Sequence, residues 1–294
     1  DEELPLHGGA VFSPQVMLAN GLLEEADLAL RQAQHLGKNN LQWADNASSE
    51  GDARSASEWK AFLVKAVADR LFKFQLQPVF KVDGKTLLHQ EVLCRLSDGD
   101  ELLSAGVFLP MAERFNMLSA IDRLMIEMLL EYSVNTESTN LCINISPRSI
   151  SDEDFFSWLN SFLLEHKSFA QHLILELPEH ALVANEQDVR AFAEMIDSQG
   201  ASLSLDHFGS SASAFHYLQS LPLTLLKIDR CFVQSIDANP DNQFFVKSLL
   251  QIAHSCDLLL LAEGIETQEE WSALLGVGVD GAQGYWLGKP EDPS

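Results

Sequence analysis

The chain has 294 residues, 46% of them hydrophobic, which fits one large domain plus a remnant and excludes both a disordered tail and two domains of comparable size. Lysine and arginine number 19 against 43 acidic residues, and the net charge of -24 repels phosphate backbones, excluding extended nucleic-acid binding while suiting divalent cations or a basic partner surface. The longest apolar runs, such as Leu258 to Ala262, are far short of the roughly 20 residues a membrane span needs.

From the N-terminus, residues 1–45 carry a strand-like HGGAVF and then Leu22, Leu23, Ala26, Leu28, Ala29, Leu30 and Ala33 at helical spacing, with a stop at Gly37. Residues 46–56, NASSEGDARSA, are small, polar and unperiodic, the pattern of a linker. Ser57 to Phe72 reads as a linker helix, so the main domain is expected over residues 71–294. The chain opens on Asp1 without a basic segment ahead of an apolar one and reads as a piece of a longer protein. Cys94, Cys142, Cys231 and Cys256 lie far apart without CxxC spacing, which suits reduced thiols in a cytosolic setting.

Beyond residue 71 the patterns alternate: FKFQLQPVF, LLHQEVLCRL, a helix near Ala120 to Tyr132, LCINIS, a helix near Asp154 to Glu165, HLILEL, a helix near Glu186 to Ser198, SLSLD, a short helix near Ala212 to Leu218, LLKID, a helix near Asn242 to Ser255, LLLLAEG, a helix near Gln268 to Leu275, and GVDGAQGY. Repeated strand-then-helix units predict a parallel sheet with helical crossovers. Eight strand candidates predict closure into a barrel of the α/β class. Phe155, Phe156, Trp158 and Phe162, near helical spacing, read as core, and Asp152 to Asp154 as the cap of a helix N-terminus.

The apolar runs share a second feature: each ends in a polar residue, namely Asn144, Glu176, Asp206, Lys227 with Asp229, Glu263, and Gln283 after the last. Side chains alternate along a strand, so Cys142, Asn144 and Ser146 share one face, as do Ser202, Ser204 and Asp206, and Leu225, Lys227 and Asp229. In a barrel one face is the lumen, and the polar ends are expected to meet at the carboxyl ends of the strands, where such barrels place their sites. Glu91, Glu176, Asp206 and Glu263, with Asn144, offer hard oxygen ligands that fit Mg²⁺ or Mn²⁺. Carboxylates held this close in a partly dry pocket need a cation or protons. Two divalent ions about 4 Å apart would clamp a phosphodiester, with Lys227 stabilising the charge. His207 is the histidine placed at this site; the others, such as His172 and His254, read as surface or structural.

Gln77-Pro78, Glu91-Val92-Leu93-Cys94-Arg95, INIS with Asn144, LELPE with Glu176 and Glu179, Asp206-His207-Phe208-Gly209, Leu226-Lys227-Ile228-Asp229, Ala262-Glu263-Gly264-Ile265-Glu266 and Gln283-Gly284-Tyr285 together resemble the EAL domain family in the family's order, from about Leu71 to Pro290. The resemblance implies a TIM-like (β/α)8 barrel that hydrolyses cyclic di-GMP to the linear pGpG with two Mg²⁺ or Mn²⁺ ions. It implies Glu91, Asn144, Glu176 and Asp206 as ligands of one metal, and Asp206 with Glu263 as ligands of a second. By the same resemblance Glu91, Lys227, Glu263 and Gln283 form the catalytic set, with Lys227 and Gln283 supporting water and substrate. Glu179 braces the loop after Asp206, and Gln77, Leu93, Arg95 and Asp122 contact the dinucleotide. Arg95 is the expected phosphate contact, because its planar fork matches phosphate geometry. Residues 1–45 resemble the last strand and helix of a GGDEF domain without its signature-bearing part.

This chain departs from the family at Asp206-His207, where active relatives have two aspartates, which removes a carboxylate from the second metal's ligands. It departs again at Gly209-Ser210-Ser211-Ala212-Ser213, where they have Gly-Thr-Gly-Tyr-Ser. ELLSAGVFLPMAERFNML, IDRLMIEMLLEY, the run from Asn242 and the run from Glu269 resemble the CsrD/MshH type of degenerate GGDEF-EAL regulator. That likeness implies a weakly active or inactive module on the cytoplasmic face of the inner membrane, anchored by upstream segments. Its implied partner is glucose-specific enzyme IIA, in control of regulatory-RNA decay, with cyclic di-GMP as a ligand and pairing of barrels as a homodimer.

Overall fold

The computed structural model describes residues 7–10, 40–43, 54–134, 136, 139–209 and 217–293. The chain divides into two compact units at Ser55/Ala56. In the first, β1 (His7–Ala10) pairs in parallel with β2 (Asn40–Trp43). β1 falls within the expected HGGAVF strand, while the expected helix from Leu22 to Gly37 lies outside the described residues.

The second unit opens with α1 (Ala56–Ala68), the helix read as a linker, whose Trp59, Leu63 and Ala66 are buried in the same core as the strands that follow. Next come β3 (Phe72–Lys81), β4 (Leu87–Asp98), β5 (Glu101–Ser104), α2 (Ala105–Arg114), α3 (Leu118–Ser133) and β6 (Leu141–Asn144). Then follow α4 (Pro147–Ile150), α5 (Glu153–Glu165), α6 (Lys167–Ala170), β7 (Leu173–Pro178), α7 (Glu179–Ala184), α8 (Glu186–Ser198) and β8 (Ser202–Phe208). The last are β9 (Leu225–Ile228), α9 (Arg230–Val233), α10 (Pro240–Ser255), β10 (Leu259–Ala262), α11 (Gln268–Val277) and β11 (Gly281–Ala282). The expected helix near Ala212 to Leu218 falls mostly on residues 210–216, outside the described residues.

Eight strands close a ring in the order β3-β11-β10-β9-β8-β7-β6-β4, with β4 returning to pair with β3 and β5 appended to β4. The expected barrel is thus present, but its sheet is not uniformly parallel. β3 runs antiparallel to both β4 and β11, while the other neighbours within the ring are parallel. The cause is local. A parallel crossover needs about a dozen residues or more, and between Lys81 and Leu87 there is only a tight turn, in which Asp83 Oδ1 accepts from the backbone N–H of Lys85 and Thr86 and Gly84 takes φ 65°. β3 and β4 are therefore a hairpin.

Two apolar layers hold the unit together. One, between strands and helices, includes Phe72, Phe108, Ile126, Leu159, Phe192, Leu226 and Leu274. The other is inside the ring, where Val79, Cys142, Ile174, Leu225 and Leu261 fill the floor beneath the polar strand ends. Phe155 is buried in the first layer, with Phe156, Trp158 and Phe162 packed against it, as their helical spacing predicts.

Helix starts follow the local sequence. Asp152 caps α5 by accepting from the N–H of Asp154 and Phe155, and Asn239 caps α10 ahead of Pro240 in its first turn. Thr267 and Glu270 form a reciprocal capping box on α11, which ends at Gly278 in the left-handed region with φ 93°. No helix among the described residues is long and apolar enough to cross a membrane. Thr267→Ala removes one half of the box and is expected to lower unfolding stability by about 1 kcal/mol, read as a lower denaturant midpoint at unchanged slope; an unchanged midpoint would show that the box adds nothing.

Candidate functional site

The period-two pattern of the strands sets the site. Register places Gln77 beside Glu91, Asn144 beside Glu176, and Glu176 beside Ser204. Residues paired in register share a face of the sheet, so these side chains, with Lys227, Glu263 and Gln283, line the ring above its apolar floor. Gly284 lets Gln283 in: a Cβ there would fall 2.1 Å from the backbone oxygen of Ile265, so only glycine allows the two segments to approach.

Lys227 is the hub. Its side chain is fully buried, and its Nζ lies 2.9 Å from Glu91 Oε2, 2.8 Å from Glu176 Oε1 and 3.0 Å from Glu263 Oε1. An ammonium has three protons to donate, and here three carboxylates take them. Gln283 Nε2 donates to Glu91 Oε2 at 2.6 Å and to Gln77 Oε1 at 3.0 Å, while Gln77 Nε2 donates to the Gly288 carbonyl. Asn144 Nδ2 lies 3.4 Å from Glu91 Oε1. Ser204 Oγ donates to Glu176 Oε2 at 3.1 Å, with Cys142 Sγ 3.4 Å from the same oxygen.

The protonation pattern follows. Burial acts to raise Glu91, but the ammonium of Lys227 and its hydrogen bonds with Lys227 and Gln283 outweigh it and hold the carboxyl below its usual range. Burial pushes Glu176 up to about 7 and Glu263 up to about 8, against the pull of Lys227. Lys227, which burial alone would discharge, stays above its usual range because Glu176, Glu263 and Glu91 surround it.

Asp206, His207 and Glu263 form the outer part of the site, each offering one donor atom within 4.8 Å of the others. Burial, and after it the charge of Glu176, raises Asp206. His207 takes φ 54°, an uncommon conformation for a non-glycine residue, and its ring lies between two acids: Nε2 is 3.3 Å from Asp206 Oδ2, and Nδ1 is 3.1 Å from Asp229 Oδ2. The bond to Asp229 is the main reason the imidazole is pushed up to about 9.

The other expected residues are distributed around this centre. Leu93 and Arg95 follow Glu91 on the same face of β4; Arg95 donates from Nε to Gln75 Oε1 at 3.0 Å and from Nη1 to the Cys94 carbonyl. Asp122, on α3, accepts from the Ser146 N–H at 3.0 Å and from Ser149 Oγ at 2.6 Å, so it braces the turn just after Asn144, and burial pushes it up to about 6. Glu179 is buried at the start of α7, directly after β7; the loop it is expected to brace lies outside the described residues beyond Gly209.

Three participants were not singled out by the sequence. Cys142 and Ser204 lie one step below Asn144 and Asp206 on the same strand faces, so the alternation contained them. His89, two residues before Glu91 on β4, is fully buried, neither ring nitrogen has a partner among the described residues, and burial next to Lys227 drives it down to about 3. The reading of the remaining histidines as surface or structural holds for His172, bonded to Asn140, and His254, bonded to Asp280. His89 is instead part of the barrel interior.

The donors suit a divalent cation. Glu91, Asn144, Glu176, Asp206 and Glu263 are hard oxygen ligands, and burial pushes the Glu263 carboxyl up to about 8, so that at neutral pH it keeps a proton whose place a cation would take. His207 adds an imidazole nitrogen to this otherwise oxygen-only set.

The EAL domain family model matches residues 61–290. Among curated proteins, the cyclic di-GMP phosphodiesterase PdeF of Escherichia coli K12 is 29% identical over 78% of this chain and 31% of its own length. The RNase E specificity factor CsrD of the same organism is 25% identical over 90% of this chain and 41% of its own length. The chain thus spans about a third to two-fifths of these relatives. Among solved structures, Vibrio cholerae LapD S helix-GGDEF-EAL, bound to c-di-GMP, superposes with a TM-score of 0.83 at 24% identity, covering 94% of this chain and 68% of that one, a likeness of fold.

The raised carboxyl of Glu263 predicts a pH dependence. Folded, it titrates at about 8 instead of the ordinary 4.5, so its contribution to stability is complete below about pH 4.5 and is lost as pH rises through about 8. In the presence of chelator, Glu263→Gln, uncharged at every pH, is expected to unfold at a higher temperature than the parent near pH 8 and at the same temperature near pH 4.5. A parent that is the more stable of the two near pH 8 would contradict the assignment.

Proposed function

Because this chain belongs to the EAL domain family, we propose that it is a regulatory module of cyclic di-GMP signalling that acts through binding, with weak or absent hydrolysis of the dinucleotide. The observation that carries this reading is His207, which stands in the acidic cluster at the barrel mouth and engages Asp206 on one side and Asp229 on the other. Relatives of both kinds, a phosphodiesterase and an RNase E specificity factor, are compatible with it. The resemblance to the CsrD/MshH type supports a protein partner, glucose-specific enzyme IIA, and a role in regulatory-RNA decay at the cytoplasmic face of the inner membrane.

In this reading Glu91, Asn144, Glu176 and Asp206 hold a divalent cation, Mg²⁺ or Mn²⁺, and Asp206 with Glu263 face a second position that His207 alters. A bound cation would polarise phosphate oxygens and lower the pKa of bound water. Lys227 and Gln283 fix the orientation of Glu91. Gln77, Leu93, Arg95 and Asp122 are the residues proposed to face the dinucleotide. Arg95 must exchange its bonds to Gln75 and the Cys94 carbonyl for a phosphate, which limits the affinity it can add.

A second reading, a working cyclic di-GMP phosphodiesterase giving linear pGpG, is favoured by the meeting of Glu91, Glu176 and Glu263 on Lys227, a set that docking alone does not require. The two separate in one assay. Incubated with cyclic di-GMP and Mn²⁺ or Mg²⁺, the protein is expected to release little or no linear dinucleotide, while calorimetry detects binding of the dinucleotide or of enzyme IIA. Sustained turnover that Glu91→Ala abolishes would replace the regulatory reading with the enzymatic one.

A further inference from the structure

The acidic cluster at the barrel mouth contains a nitrogen donor, and that nitrogen is held in place. Asp206, His207 and Glu263 bring one donor atom each to within 4.8 Å of one another. Asp229 lies outside this trio, 3.1 Å from His207 Nδ1. Its carboxylate also accepts from the N–H of Cys231 at 2.8 Å, and this anchors it at the start of α9. A carboxylate bonded to one ring nitrogen of a histidine fixes the orientation of the ring and presents the other nitrogen, whose proton a metal displaces on binding, the arrangement that supports metal-ligating histidines. Here the other nitrogen is Nε2, 3.3 Å from Asp206 Oδ2 and thus on the side of Asp206. The side chain of His207 is 57% exposed, so an ion can reach it without disturbing the core.

We propose that Asp206, His207 and Glu263, with Asp229 positioning the imidazole, form a site for a divalent transition metal of borderline softness, such as Zn²⁺ or Co²⁺, in preference to Mg²⁺. Mg²⁺ prefers oxygen ligands at near-octahedral geometry and keeps several waters, whereas an imidazole beside two carboxylates matches the ligand sets of zinc and cobalt. The site shares residues with the cage around Lys227 but differs from it in chemistry: the inner donors are oxygens, and this outer trio is mixed. The proposal does not depend on whether the cyclic dinucleotide is hydrolysed, and its test contains no dinucleotide.

The test uses the full chain, stripped of metal, with the exposed thiol of Cys231 removed as Cys231→Ser so that sulfur cannot capture the ion. Co²⁺ is titrated and followed by its visible ligand-field absorption, and the bound ion is then challenged with Zn²⁺ or Mg²⁺. The parent is expected to give a nitrogen-containing Co²⁺ spectrum that Zn²⁺ displaces and an excess of about a hundredfold Mg²⁺ does not. His207→Asn, a residue type that tolerates the left-handed backbone, is expected to keep the fold by circular dichroism and to weaken Co²⁺ binding by roughly 10–100-fold. His207→Asp is expected to restore competition by Mg²⁺. Equal Co²⁺ affinity and spectrum in the parent and His207→Asn, or ready displacement by Mg²⁺ from the parent, would overturn the proposal.

Discussion

A single ammonium, that of Lys227, organises the barrel interior. Removing it from water is expensive, and so is burying each carboxylate around it, so attraction alone does not make the cluster stabilising. The geometry succeeds because neutral donors also satisfy two of these carboxylates: Gln283 bonds the Glu91 oxygen that faces Lys227 and Asn144 the other, while Ser204 and Cys142 bond the Glu176 oxygen that Lys227 leaves free. Three acids around one cation still leave the cage anionic, and the raised carboxyls of Glu176 and Glu263 are the molecule's response to that surplus. Such a cage is under electrostatic tension until a cation or a protonated group relieves it.

The two halves of the site answer that tension differently. The inner half keeps hard oxygen donors around Lys227, a set that suits a divalent cation such as Mg²⁺. The outer half has an imidazole, bonded to Asp229, among its acids. Phosphodiesterases and a specificity factor both align to this chain. One scaffold can carry different functions, which are set by the side chains of a site and not by the fold.

Much of this was legible in the sequence because strand alternation is strict. Asn144, Glu176, Asp206, Lys227, Glu263 and Gln283 each end an apolar run, so a closed ring brings them together, and the structure places them at one mouth. The direction of β3 was less visible: alternation reads the same in parallel and antiparallel strands, and only the shortness of the Lys81–Leu87 turn, with Asp83 and Gly84, marked the hairpin. β5 and α2 were hidden for another reason. ELLSAGVFLPMAER carries Pro110 inside what becomes a helix, and its many apolar residues hide the helical spacing of the two that are buried, Phe108 and Ala112. Asp229 looked like any strand end, and its partnership with His207 depends on the left-handed turn at His207, which no local pattern encodes.

The way the ring closes also bears on how the polypeptide is made. β3 is held on one side by its immediate neighbour β4 and on the other by β11, and the bond from Gln283 to Gln77 joins residues 206 positions apart. Beyond β11, Leu76 and Glu291 exchange backbone hydrogen bonds in an antiparallel bridge. During synthesis the β3–β4 hairpin emerges early, with one flank of unpaired peptide groups waiting for the last segment. Such contacts between distant residues slow folding, and an unpaired strand edge invites association with other chains. The nascent barrel therefore stays open until its final stretch has left the ribosome, and a chaperone that shields that flank would act on the most vulnerable stage in its life.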